Sequence, residues 1–162
     1  MKKLNANKLL EEAIEQVTSV GIETGKINPV VGINTRAKTR FGKCSKVPYR
    51  EYDYEIEINA LLLKADKKKA MNTIVHEVLH TCKDCMNHGQ RWEKYANIMN
   101  REFDYDISRV NSYEQLGIER PKPKYTIVCQ GCGNTFIRYK KSKLITQIQN
   151  YRCGCGGKLK VA

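Results

Sequence analysis

Two histidines and a glutamate lie in the most regularly patterned segment of the chain. From about Lys67 onwards, apolar residues recur every three to four positions, which predicts a helix with a broad face directed into a core. His76 and His80 are four residues apart, so this helix places both imidazoles on one face, one turn from each other. Glu77 follows the first histidine. Any fold of this chain must therefore accommodate a largely buried helix that carries three titratable side chains.

The run His76-Glu77-Val78-Leu79-His80 fits the metallopeptidase pattern, in which two histidines bind one zinc ion and the glutamate is the general base. Glu77 would take a proton from water and pass it to the leaving amine. Catalytic zinc usually has three protein ligands. The third and last histidine, His88, precedes a predicted turn between two helices, and we expect it to complete the site. The alternative is a pair of helix histidines without a metal.

A rival metal site uses Cys82, Cys85 and His88, with or without His80, as a closed structural zinc site. Cys82 also continues the buried row of the helix, where a free cysteine behaves as a small hydrophobe. A redox pair formed by Cys82 and Cys85 is a third interpretation. Cys44 is most simply a packed residue.

The last forty residues contain two further pairs of cysteines. This segment has too few apolar residues to fold unaided, which favours stabilisation by a metal. Four thiolates suit a tetrahedral structural zinc ion. The second pair is separated by one residue instead of the usual two. The predicted ligands are Cys129, Cys132, Cys153 and Cys155.

The chain carries a formal net charge of +12, which favours anionic partners. Residues 124–162 contain eight basic and no acidic residues, with aromatic residues between them. This mixture is typical of surfaces that follow phosphates and stack bases, although it also suits a merely well-solvated module. The predicted nucleic-acid contacts are Arg138, Lys140, Lys141, Lys143 and Arg152.

The 162 residues suffice for one domain and a small module. We expect a domain over residues 1–110, a linker over 111–124 that contains Pro121 and Pro123, and the cysteine module over 125–162. Within the first domain, the pattern predicts a helix over 7–20 and three short antiparallel strands between 27 and 58. Asn87 and Gln90 resemble a capping box that starts the helix after His88.

No segment is apolar enough to span a membrane or to serve as a secretory signal. Close cysteine pairs also suit reduced thiols, so we expect a cytoplasmic protein.

The order of these motifs resembles the SprT-like family, which includes the Spartan-type proteases. The resemblance rests on the histidine motif, on His88-Gly89-x-x-Trp92 and on the terminal cysteine ribbon. It implies an α+β fold: a small zincin-like metalloprotease domain of helices and an antiparallel sheet, followed by a zinc ribbon. His76, His80 and His88 would bind the catalytic zinc, Glu77 would be the catalytic acid and base, and a second zinc would be structural.

The resemblance also implies the substrates, which would be proteins bound or crosslinked to DNA, with the basic ribbon contacting DNA. The alternative is a non-catalytic, zinc-containing nucleic-acid-binding or transcription-associated factor.

Overall fold

The structure is a computed structural model that describes residues 4–48 and 50–162. The chain divides into two compact units, residues 1–119 and 120–162. It is a small α+β protein with short helices and two three-stranded sheets. None of the helices in the described part of the chain has the length and apolar character needed to cross a membrane.

The sheet of the first unit has the order β1-β3-β2 and consists of β1 (Gly32–Asn34), β2 (Gly42–Lys46) and β3 (Tyr54–Asn59). β3 alternates as the sequence predicts, with Ile56 and Ile58 buried. β2 pairs antiparallel with β3, whereas β1 pairs parallel with it. The prediction of three antiparallel strands is therefore wrong for β1, because the segment after β1 crosses over and places β2 on the opposite edge of β3.

Two helices pack together in this unit, α1 (Ala6–Ser19) and α2 (Lys67–Leu79). The Asn5 side chain accepts a hydrogen bond from the N–H of Lys8 and caps α1, which buries a stripe that includes Leu10 and Val17. Asp66 caps α2 in the same way. From Thr73 to Leu79 every residue of α2 is buried, because the helix also contacts β2 and β3. Its last turn is thus held rigidly against the sheet.

The third helix, α3 (Gln90–Phe103), begins where the sequence predicts, but its cap differs. Gly89 is the capping residue, and no side chain caps the helix. Asn87 instead accepts a hydrogen bond from the N–H of Gly89, so the predicted capping box is wrong. A short helix, α4 (Tyr113–Leu116), lies within the segment expected to be a linker, and both of its end residues are buried in the core of the first unit.

The second unit contains β4 (Tyr125–Cys129), β5 (Thr135–Arg138), α5 (Lys143–Thr146) and β6 (Leu159–Val161). Its sheet is antiparallel with the order β5-β4-β6. Cys129 is the last residue of β4, Cys132 lies in the turn that follows, and Cys153 and Cys155 lie in the loop before β6. The apolar residue Ile127 is fully buried at the centre of this small sheet.

Candidate metal centres

The three histidines converge on one point. The distances between Nε2 atoms are 3.2 Å for His76 and His80, 3.1 Å for His80 and His88, and 3.0 Å for His76 and His88. Nitrogens bound to one tetrahedral zinc ion at about 2.0–2.1 Å are roughly 3.3 Å apart. The structure therefore brings together the three predicted ligands in an arrangement whose donor atoms fit zinc.

Backbone carbonyl groups orient two of the imidazole rings. The Nδ1 atom of His76 donates to the carbonyl oxygen of Ser108 at 3.0 Å, and that of His80 donates to the carbonyl oxygen of Cys85 at 2.7 Å. With the proton on Nδ1, each Nε2 presents its lone pair to the shared point. The contact with Ser108 had no signal in the sequence, because it joins residues 32 positions apart through a backbone atom.

The protonation of the cluster favours metal binding. Burial, followed by the neighbouring His80 and His88, lowers the pKa of His76 to about 3, because a buried ring loses its hydration and imidazolium charges would repel one another. Burial also lowers the pKa of His80 and of His88. All three rings are consequently neutral near pH 7, and neutral imidazole is the form that binds metal ions.

The loop between α2 and α3 brings His88 back to the other two histidines. Asp84 adopts a left-handed backbone conformation there, with φ +59°. Its carboxylate pairs with Arg91 in the first turn of α3 at 3.0 Å, which ties the loop to the helix. On the same helix, the ring of Trp92 lies 4.6–5.6 Å, centroid to centroid, from all three imidazoles. The sequence places Trp92 in the His88-Gly89-x-x-Trp92 motif, but its contact with every ring of the site required the structure.

Glu77 follows His76 in α2 and is almost fully buried. The backbone N–H of Cys44, in β2, donates to its carboxylate. Burial nevertheless raises the pKa of Glu77 to about 8 because an ionised carboxylate loses its hydration there. The carboxyl group is thus held by the edge strand of the sheet.

The remaining cysteines of this unit stay outside the cluster. Cys82 and Cys85 are buried, and within residues 4–48 and 50–119 the histidines form the one group of three or more candidate metal ligands. Cys85 contributes only its backbone carbonyl to His80. Burial, followed by the nearby Glu77 carboxylate, raises the pKa of Cys44 to about 12, which keeps this thiol neutral. The rival site formed by Cys82, Cys85 and His88 is not assembled.

Comparison with known proteins identifies the family. A family model described as the SprT-like family matches residues 8–113, which include the histidines, Glu77 and the whole first sheet. The chain belongs to the SprT-like family. Membership in this family is consistent with a metalloprotease-like function. A search of curated proteins found no match.

Beyond the segment that matches the SprT-like family, the four terminal cysteines form a second cluster. Their Sγ atoms lie within 4.8 Å of one another, with 3.5 Å between Cys129 and Cys155 and 3.7 Å between Cys132 and Cys153. Thiolates bound to one tetrahedral zinc ion at about 2.3 Å are roughly 3.8 Å apart. The donor set therefore fits a structural zinc ion, and the short Cys153-x-Cys155 spacing accommodates both of its members.

The backbone around Cys129 prepares this thiol for a metal. The N–H groups of Cys132 and Gly131 point at its Sγ atom, at 3.5 and 3.3 Å. Donation from Cys132, and then from Gly131, lowers the pKa of Cys129 to about 6 because both stabilise the thiolate. This arrangement of backbone donors is typical of a metal-binding knuckle.

The predicted nucleic-acid contacts are distributed over one small module. Lys140, Lys141 and Lys143 lie exposed at the turn before α5 and at its first residue. The other two, Arg138 and Arg152, line a cavity of about 260 Å³ together with the side chains of Phe136, Leu144 and Tyr151. The structure thus brings the two arginines together at an aromatic cavity.

Proposed function

We propose that this SprT-like protein is a zinc-dependent endopeptidase of zincin-like fold that acts on proteins bound or crosslinked to DNA. The observation that carries the proposal is the convergence of three neutral imidazoles, whose Nε2 atoms lie 3.0–3.2 Å apart, beside the buried Glu77. Three protein ligands would leave a coordination position of a bound zinc ion for water or substrate, unlike a closed structural site.

His76, His80 and His88 would hold the zinc ion. The chemistry that zinc supplies in such a site is polarisation of the scissile carbonyl group and acidification of a water molecule. Glu77 accepts the proton of the attacking water, retains it in its buried position and delivers it to the leaving amine. The hydrogen bond from the N–H of Cys44 fixes the carboxylate during both transfers.

The choice of DNA-associated substrates is supported by the second unit. Residues 120–162 contain ten basic and no acidic residues, so the unit attracts phosphates. Phe136 and the half-exposed Tyr151 offer aromatic surfaces for bases, with Arg138 and Arg152 beside them. A protein captured with its DNA would be delivered to a protease on the same chain.

A cleavage assay tests the enzymatic part. Zinc-loaded protein is incubated with a protein crosslinked to a DNA oligonucleotide, alongside the Glu77→Gln variant, which keeps the size of the side chain but cannot accept the proton. We expect fragments from the wild type and a loss of at least about 100-fold in rate for the variant. Equal behaviour of the two proteins would refute the protease proposal and favour the non-catalytic nucleic-acid-binding factor.

A further inference from the structure

The carboxylate of Glu77 lies against a glycine of the neighbouring strand. If Gly42 carried a Cβ atom, that atom would lie 2.3 Å from Oε1, 2.7 Å from Cγ and 2.8 Å from Cδ of Glu77. Cβ atoms in proteins essentially never lie this close to non-bonded atoms, so one side must move. Two residues further along β2, the N–H of Cys44 donates to the same carboxylate. Strand β2 thus provides Glu77 both with a hydrogen-bond donor, at Cys44, and with the space that its carboxylate occupies, at Gly42.

The backbone conformation of Gly42 does not explain the glycine. The residue is the first of β2, where it pairs with Ile58, and its φ is outside the left-handed region. A glycine within a strand weakens the strand because it has no side chain to pack and loses more entropy on folding. Alanine would therefore be accepted by the backbone here, and the atoms that its Cβ would crowd belong to the side chain of Glu77.

We propose that Gly42 is a positioning residue for Glu77, because its missing side chain forms the slot in which the carboxylate sits. The inference rests on the proposed function for its catalytic meaning. Glu77 belongs to the buried last turn of α2, which is held against the sheet, so a β-carbon at position 42 displaces the side chain and leaves the helix in place. Such a displacement takes the carboxylate out of the position in which the N–H of Cys44 holds it, while the three metal ligands stay where they are.

The kinetic test is the Gly42→Ala variant, with Gly32→Ala as the matched control. Gly32 lies on the other edge of the same sheet, where a Cβ atom would meet Glu57 at an ordinary 3.5 Å. We expect kcat of Gly42→Ala to fall by about 10- to 100-fold while KM and bound zinc stay within about twofold of the wild type. Gly32→Ala keeps wild-type kcat. An unchanged kcat in Gly42→Ala would overturn the proposal.

A thermal-unfolding cycle tests the slot without any activity measurement. Gly42→Ala is introduced into the wild type and into Glu77→Ala, in which the colliding atoms are absent. We expect the substitution to lower Tm in the wild type and to leave it unchanged or raise it in the Glu77→Ala background. An equal loss of Tm in both backgrounds would show that Gly42 serves the strand alone and would overturn the proposal. If the wild type cleaved no substrate, the proposed function would fail, but this cycle would still show whether Gly42 makes room for the side chain of Glu77.

Discussion

Trp92 shares an environment with all three metal-binding candidates. Its ring stacks on His80 at an interplanar angle of 23° and meets His76 and His88 edge-on, so it fills the space behind the cluster. Its Nε1 atom is buried and has no hydrogen-bond partner among the described residues, although such a group costs about 1–3 kcal/mol. The indole is therefore held by packing against the imidazoles, which fixes their orientation.

Since Trp92 is the single tryptophan of the chain, it reports on the histidine site alone. Imidazole ligands bind Ni²⁺, an open-shell ion that quenches tryptophan emission at the ring distances seen here. We expect Ni²⁺ added to the metal-free protein to decrease the fluorescence. The decrease should persist in Cys132→Ser and disappear in His80→Gln. Quenching that survives the loss of His80 would place the ion elsewhere.

The lowered pKa values of the histidines predict how metal-free stability depends on pH. A group whose pKa is lowered by folding contributes stability above its unfolded pKa, and this stability is lost as the pH falls. His76, His80 and His88 all have lowered pKa values, and the charge of Arg109 contributes to the lowering at His88. Glu77 has a raised pKa and acts in the opposite direction. Three histidines outweigh one carboxyl group, so we expect Tm to rise from pH 5 to pH 6.

The control for this prediction replaces all three histidines by glutamine. Glu77 then remains as the group with a strongly shifted pKa in the cluster, and the sign should reverse, with Tm falling slightly as the pH rises. Thermal unfolding of both metal-free proteins across this pH range makes the comparison. A rise of equal size in the two proteins would show that the histidines do not carry the dependence.

Part of the site was predictable because its residues are spaced by a single helix. The four-residue repeat that aligns His76 and His80 is local, and His88 was identified because a turn follows within a few residues. The other contacts bring together residues that are far apart in sequence: Gly42 lies against Glu77, and the carbonyl group of Ser108 accepts a hydrogen bond from His76. No residue-type pattern encodes such contacts, so the structure was needed to find them.

At the scale of secondary-structure elements, the close approach of two backbone segments holds the cysteine cluster together. A Cβ atom at Gly157 would lie 2.7 Å from the Sγ atom of Cys129 and 3.1 Å from backbone atoms of Gly131. Backbone atoms cannot yield as a flexible side chain can. The segment that carries Cys129 and Cys132 therefore fits against the segment that carries Cys153 and Cys155 only if position 157 has no side chain.

We expect Gly157→Ala to lose the structural metal and to keep the histidine site. Overpacking of this kind costs roughly 1–3 kcal/mol, and loss of the metal adds to that. Gly154→Ala is the matched control, since a Cβ atom there has open space in the same loop. Metal analysis should give one zinc per chain for Gly157→Ala and two for the control. Two zinc ions in both variants would contradict the predicted crowding.

The helices were predicted more accurately than the strands for a physical reason. Helical periodicity and caps such as Asp66 are local, and α2 begins where the sequence predicts. The direction of β1 depends on which edge of β3 each neighbouring strand occupies, which is a tertiary property. The short helix α4 was missed because its two buried residues, Tyr113 and Leu116, belong to a core assembled from distant segments.

Across the whole molecule, the charge is divided very unevenly. Residues 120–162 hold ten of the net twelve positive charges, which leaves +2 on residues 1–119. Four thiolates with one zinc ion would carry a charge of −2, so the second unit stays strongly basic when the metal is bound. Long-range attraction to phosphates is consequently a property of the terminal unit, and the first unit contributes little to it.

This division predicts which arginines govern the salt dependence of DNA binding. Each phosphate contact contributes about −0.7 for single strands and −0.9 for duplexes to the slope of log K against log salt concentration. We expect Arg138→Ala with Arg152→Ala to reduce the magnitude of the slope for the full chain by about 1.4–1.8, because two contacts are lost.

The matched control removes the same charge from exposed residues of the first unit, Arg36→Ala with Lys64→Ala. Fluorescence anisotropy with a labelled oligonucleotide over a range of salt concentrations measures both. Equal slopes for the two double variants would mean that net charge alone, and not the aromatic cavity between Arg138 and Arg152, determines binding.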